Sequence, residues 1–335
     1  MNYQNVIEIW EKDEYSYPLA YGFTPKLYTY LHPDDEVRDC MLVVPGGGYA
    51  WVAGAEAMLV AKTFYEQGKN CLVLVYTTNA LCRVPLEMQP LKDLSRAIRL
   101  IRSRAAQFRI HPDRLCIVGF SAGGHLCASS CVHHMDVPEL NPAYAAFSCR
   151  PDAAILSYPV ITSGEKAHRG SIDCLIGKDP SPEELRYVSL ETQVTDATVP
   201  AFIWQTETDE LVPVENSYLF AAALREHHIP YALHIFSGGP HGVSVATEEW
   251  SRYADADCVY ANEQNDRIEA LIREGKLKLT DEEYEQFMAA SGKRPRLPGT
   301  PEWAERKQVW HEINIWPQLA DLWLQEILQK RNEPV

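Results

Sequence analysis

The sequence predicts an α/β protein built on one mostly parallel central sheet of about eight strands, with helices on both faces. Three observations lead there. Short uninterrupted apolar runs recur along the chain, as strands covered on both faces require. Segments with apolar residues at helical spacing separate those runs. The third observation is the junction at 115–131, LCIVGFSAGGHLCASSC. There a strand-forming run turns through Gly119-Phe120-Ser121-Ala122-Gly123 into small residues able to start a helix.

Taken in order, residues 26–32 (KLYTYLH) alternate apolar and polar and predict an antiparallel edge strand. Residues 40–44 form a buried strand that ends at Pro45-Gly46-Gly47-Gly48-Tyr49. Helical spacing over 55–67 stops at Gly68, and CLVLVY at 71–76 is the next buried strand. A helix opens at Pro90 with Leu91, Leu94, Ile98 and Ile101 on one face. Its arginines, Arg96, Arg99, Arg102 and Arg104, read as a solvated face. Beyond the junction, 153–157 and 201–206 are further strands. Between them, 158–200 is a small lid-like excursion rich in Pro, Ser, Asp and Glu, with a helix start at Pro182-Glu183-Glu184. A helix at 216–226 and a last strand at 231–236 complete a core of residues 1–251.

From 252 to 300 the chain turns polar and reads as a helical insertion. It holds a short amphipathic helix around 266–273 (Ile268, Leu271, Ile272) and a capping box at Thr280-x-x-Glu283. An extended connector follows at 291–301. Residues 301–335 return to the core through a helix that opens at Pro317 and carries Leu319, Leu322, Trp323 and Ile327 inward.

With 46% apolar residues the chain can bury a sizeable core, and its net charge of −15 argues against nucleic acid or an anionic membrane as partner. No apolar run approaches the ~20 residues that span a bilayer. The opening residues, MNYQNVIEIWEKDEY, show neither a basic nor an apolar leader segment, so a cytoplasmic protein is expected. The nine cysteines include no Cys-x-x-Cys pair and several flank strand runs (Cys40, Cys71, Cys116). They read as reduced, buried small hydrophobes, not a disulfide framework. The pairs His133-His134 and His227-His228 are neighbours that cannot share a helix face, so no metal site is expected.

A serine hydroxyl is a weak nucleophile that needs an imidazole base, itself oriented by a carboxylate. In a strand–turn–helix setting Gly-x-Ser-x-Gly is a nucleophile elbow, and the partners then follow in the order carboxylate, histidine. Ser121 is the candidate nucleophile. Asp209 sits in the loop after 201–206, whereas Glu207 is too near the strand end and Glu210 is expected to turn outward. The plainer alternative is that Asp209 only caps a helix. His241 is the one histidine in the loop 237–242 after the last strand. Charge on a carbonyl oxygen would be met by backbone N–H groups of Ala122, at a helix start, and of the loop Gly46-Gly47-Gly48 after the strand 40–44. Tyr49 and His125 are candidate substrate contacts, although for His125 local packing or bonding is the favoured reading. This chemistry needs no metal and no organic cofactor.

Together these motifs resemble the α/β-hydrolase superfamily, in its esterase/lipase branch, and look most like bacterial acetylesterase or xylan-esterase-like hydrolases. The resemblance covers about 21–245 and 310–328. It implies a serine carboxylesterase that removes small acyl groups, acetyl first, from a small-molecule ester such as a sugar ester. In it Ser121 is the nucleophile, His241 the base and Asp209 the orienting acid, with Gly47, Gly48 and Ala122 forming the oxyanion hole. Two departures stand out. Pro45 replaces the usual histidine before the glycines, and the 252–300 insertion is long. That insertion either shades the pocket or forms a homodimer contact. Rival readings are an amidase, formamidase or peptidase on the same residues, and a catalytically silent binding protein.

Overall fold

The computed structural model describes residues 2–15, 17–253, 258–290 and 310–330. Its strands are β1 (Val6–Glu8), β2 (Lys26–Tyr30), β3 (Arg38–Val44), β4 (Asn70–Val75), β5 (Ile110–Phe120), β6 (Ala153–Ser157), β7 (Ala201–Thr206) and β8 (Tyr231–Phe236). They form one sheet in the order β1-β2-β4-β3-β5-β6-β7-β8. The pairs β1–β2 and β2–β4 are antiparallel, and every pair from β4 to β8 is parallel. The predicted edge strand at 26–32 therefore lies one place inside the edge. The true edge, β1, has three residues, mostly exposed, too few to show an alternating pattern.

Parallel neighbours require crossovers, and helices supply them. Gln89–Ser103, Ala122–His133 and Glu215–Glu226 cover one face, with Leu42, Ile117, Leu156 and Ile203 packed against Leu94, Ile98, Leu126 and Phe220. Met58–Glu66 and Trp316–Lys330 cover the other, where Val43, Val118, Ile155 and Trp204 meet Phe64, Trp316 and Leu324. Alternate residues of each strand thus enter different cores, which is why the strand runs are apolar throughout. The last helix departs from expectation. Trp316, Ala320, Leu324 and Leu328 form its buried stripe, Leu319 and Trp323 are partly buried, and Leu322 is 60% exposed.

The arginines also depart. Arg96 is 3% exposed, bonded to Glu14 and Glu139 at 2.6 and 2.7 Å. Its guanidinium lies 4.3 Å from the Trp10 ring centroid and 4.7 Å from that of Tyr144. Arg102 pairs with Asp152 at 2.8 Å and donates to the carbonyls of Pro112, Ser148 and Arg150. Helical periodicity identified the apolar face, but it carries no information on the N-terminal and 137–152 segments that fold over the other one.

The reading of all nine cysteines as reduced is corrected too. Cys82 and Cys174 form a disulfide across 92 residues of sequence, a separation at which spacing patterns say nothing. The other seven cysteines are free and buried. The bridge removes the thiol argument for a reducing compartment. Unfolding without reductant is expected to expose seven titratable thiols, and nine after reduction. Nine at the outset would refute the bridge.

The excursion contains helices Arg169–Ile176 and Pro182–Val188, the second opened by a Ser181/Glu184 capping box. The insertion holds Glu263–Arg273 and Asp281–Ala290, with the expected box between Thr280 and Glu283. Its helices sit on the loop after β4. Gln264 accepts from Thr78 N–H and Oγ1 at 3.0 Å each, and Ile268 and Phe287 pack with Ala80 and Leu81. Glu263 pairs with Lys26 at 2.6 Å and Glu283 with Arg83 at 2.9 Å. The predicted connector at 291–301 lies outside the described residues. Among the described residues no helix is long and apolar enough to cross a membrane.

Candidate active site

Ser121 occupies the single residue between β5 and the helix Ala122–His133, at φ 52° and ψ −118°. A non-glycine residue there costs on the order of 1–3 kcal/mol, which the surroundings must hold in place. They do so through Ser121 N–H donating to Ser157 O at 3.0 Å, and through Ser121 O accepting from His125 N–H and Val160 N–H at 3.0 and 3.1 Å. The flanking glycines are steric necessities. A Cβ on Gly119 would collide with Gly123 O, and one on Gly123 with Val44 O and Pro45 O.

The loops after β5, β7 and β8 bring three predicted residues together. Ser121 Oγ lies 2.9 Å from His241 Nε2, and His241 Nδ1 lies 2.8 Å from Asp209 Oδ2. Asp209 is fully buried at its side chain. Its Oδ1 accepts from Leu211 N–H and Val212 N–H at 3.0 and 2.9 Å, and Gln205 Nε2 donates to Oδ2 at 3.2 Å. A carboxylate so placed only accepts, so Nδ1 carries the imidazole proton and Nε2 is left to accept from the serine hydroxyl. Glu207 instead accepts from Tyr218 Oη at 2.9 Å, and Glu210 accepts from His241 N–H at 3.1 Å.

The loop after β3 runs beside this line. Gly47 and Gly48 sit at φ 118° and 66°, a region glycine alone adopts freely. Gly46 N–H is already taken by Glu56 Oε2 at 2.8 Å, while Ala122 N–H, first in its helix, has no partner within that helix.

Tyr49 and His125 do not line an opening. Both are buried, joined by a 2.8 Å bond from Tyr49 Oη to His125 Nδ1, and His125 Nε2 meets Val188 O at 2.9 Å. Burial pushes the His125 imidazole down to about 4, so it stays neutral near pH 7. Both residues brace the loop and the excursion from behind, which corrects their reading as substrate contacts.

Four residues escaped the sequence reading. Glu56 and Tyr158 bond each other beneath the site at 2.8 Å. From the excursion, His168 Nδ1 meets Ser171 Oγ at 2.8 Å, and Ser171 Oγ lies 3.9 Å from where a Cβ on Gly48 would stand. Burial, and next the neighbouring His241, hold the His168 imidazole below its ordinary value. The only sequence signal among them was Glu56, a lone carboxylate among small apolar residues in GAEAMLV.

The sheet order, the elbow and the strand-end loops are those of the α/β-hydrolase superfamily. Comparison with known proteins narrows this. The chain belongs to the BD-FAE family, whose pattern matches residues 27–224. It is 54% identical over 242 residues to endo-1,4-beta-xylanase B of Butyrivibrio fibrisolvens, a match covering 72% of this chain and 38% of that protein. It is 30% identical over 231 residues to an acetylxylan esterase of Xylanibacter ruminicola, covering 67% and 44%. The chain thus spans less than half the length of either relative. A solved structure, the acetyl ester-xyloside bifunctional hydrolase from Caldicellulosiruptor lactoaceticus, is 35% identical with a TM-score of 0.68, covering 83% of this chain and 98% of that one.

Proposed function

We propose that this protein is a serine carboxylesterase that removes small acyl groups, acetyl first among them, from hydroxylated compounds such as sugars. The observation that carries the reading is the unbroken line from Ser121 Oγ through His241 to Asp209. In the proposed cycle Ser121 Oγ attacks the ester carbonyl carbon while its proton passes to His241 Nε2. The carbonyl oxygen gains charge facing the N–H groups of Gly47, Gly48 and Ala122. The imidazolium then protonates the departing alcohol oxygen, leaving an acyl-serine that water, activated by the same imidazole, hydrolyses.

The substrate class draws on the relatives, one named an acetylxylan esterase and another an acetyl ester-xyloside bifunctional hydrolase. The xylanase relative does not redirect it. Glycoside cleavage uses two carboxylates flanking the glycosidic bond, whereas Asp209 stands behind an imidazole, placed for acyl transfer. Initial rates on p-nitrophenyl acetate, butyrate and octanoate are expected to fall with chain length, with acetylated xylose also turned over. Faster cleavage of formyl amides or peptides would transfer the reading to an amidase. No turnover of any acyl substrate, with no labelling by a fluorophosphonate, would leave the silent binding protein.

A further inference from the structure

We propose that Glu56 is a positioning residue that locks the oxyanion loop to the loop bearing His241. The inference rests on the esterase reading above. Glu56 is 5% exposed, and its two carboxylate oxygens have different partners. Gly46 N–H donates to Oε2 at 2.8 Å, and Tyr158 Oη donates to Oε1 at 2.8 Å. Tyr158 Oη in turn accepts from Ser244 N–H at 3.1 Å, three residues beyond His241. The chain of bonds closes next to its origin, because Ser244 Oγ donates to Ala55 O at 2.8 Å.

The two ends of this bracket are catalytic surfaces. A Cβ on Gly46 would stand 3.0 Å from Ser121 Cβ, so the Glu56–Gly46 bond lies directly behind the nucleophile. Gly47 and Gly48 follow it. At the other end the Tyr158 ring packs edge-on against the His241 imidazole, centroids 4.9 Å apart. The turns being joined hold positive φ at Gly47, Gly48, Tyr158 and Ser244, conformations that drift unless something pins them. A carboxylate suits the place because it accepts one N–H and one O–H at once. Glutamine cannot do both. Its NH₂ must turn to Tyr158, since against Gly46 it would set donor on donor. Tyr158 O–H then loses its acceptor while the Gly46 bond survives.

Glu56 touches no substrate in this arrangement, so its removal should act on charge that develops only in the transition state. With p-nitrophenyl acetate, Glu56→Ala is expected to lower kcat about 10²-fold and Glu56→Gln about 10-fold, with KM within about twofold. Tyr158→Phe, which also strips Ser244 N–H of its acceptor, should lose at least as much as Glu56→Gln, and the double variant little more than Tyr158→Phe alone, because the link is then already gone. Inhibition by a trifluoromethyl ketone, which forms an oxyanion on Ser121, should weaken in step with kcat. A merely structural role would lower the unfolding midpoint and leave kcat per folded enzyme and ketone inhibition unchanged. Should Glu56→Ala not fold, Glu56→Gln carries the test. Variants with wild-type kcat in an active esterase overturn this proposal alone, whereas a wild-type protein without esterase turnover overturns the reading beneath it as well.

Discussion

Ser121→Ala is expected to lower kcat on p-nitrophenyl acetate by about 10⁴- to 10⁶-fold and to abolish fluorophosphonate labelling. Only one atom is removed. Alanine has the same Cβ, so it can take the φ 52° backbone that the elbow imposes, and the bonds from residue 121 N–H to Ser157 O and from His125 and Val160 N–H to residue 121 O involve main chain alone. What disappears is the oxygen 2.9 Å from His241 Nε2. Folding stability should therefore stay within about 1 kcal/mol of the parent, so that the loss is chemical. Residual turnover above about 1% of the parent, in protein free of contaminating esterase, would mean the bond is broken by other means.

Gly123→Ala should damage folding instead. Its added Cβ meets the carbonyl oxygens of Val44 and Pro45, which are main-chain atoms at the end of β3 and cannot swing aside. Relief requires the helix Ala122–His133 to lift from the sheet, carrying the serine and loosening the glycine loop together. A loss of about 3 kcal/mol is expected, read as a lower urea midpoint or as failure to accumulate folded protein. Gly170→Ala is the control. Its nearest neighbour would be His168 Cε1 at 3.5 Å, an ordinary contact, so its midpoint should move by less than about 0.5 kcal/mol equivalent. Equal midpoints for the two variants would refute the steric account.

The strands from β3 to β7 were legible because each carries an apolar run buried on both faces, a local property of the residues themselves, and the half-buried edge strand β8 because its run YALHIF is mostly apolar. The serine, aspartate and histidine were legible for a related reason. Each follows a recognisable strand, and the topology brings the ends of β5, β7 and β8 to one side of the sheet. What stayed hidden depends on contacts between distant segments. Arg96 reads as solvent-facing until Trp10, Glu14 and Glu139 close over it. Cys82 and Cys174 read as unrelated thiols, and the last helix presents Trp316 and Leu324 where spacing offered Leu322. Glu56 and Tyr158, 102 residues apart in sequence, belong to the same group.

Asp209 is held at both carboxylate oxygens. Two backbone N–H groups hold its Oδ1, while an amide and an imidazole share its Oδ2. Such a carboxylate has no rotation left to lose. In the proposed esterase the ordering entropy of the proton relay is surrendered once, when the chain folds, and does not recur at each encounter with an ester. Stability and turnover therefore draw on the same few bonds: agents that loosen the 205–212 turn should slow catalysis before they unfold the sheet.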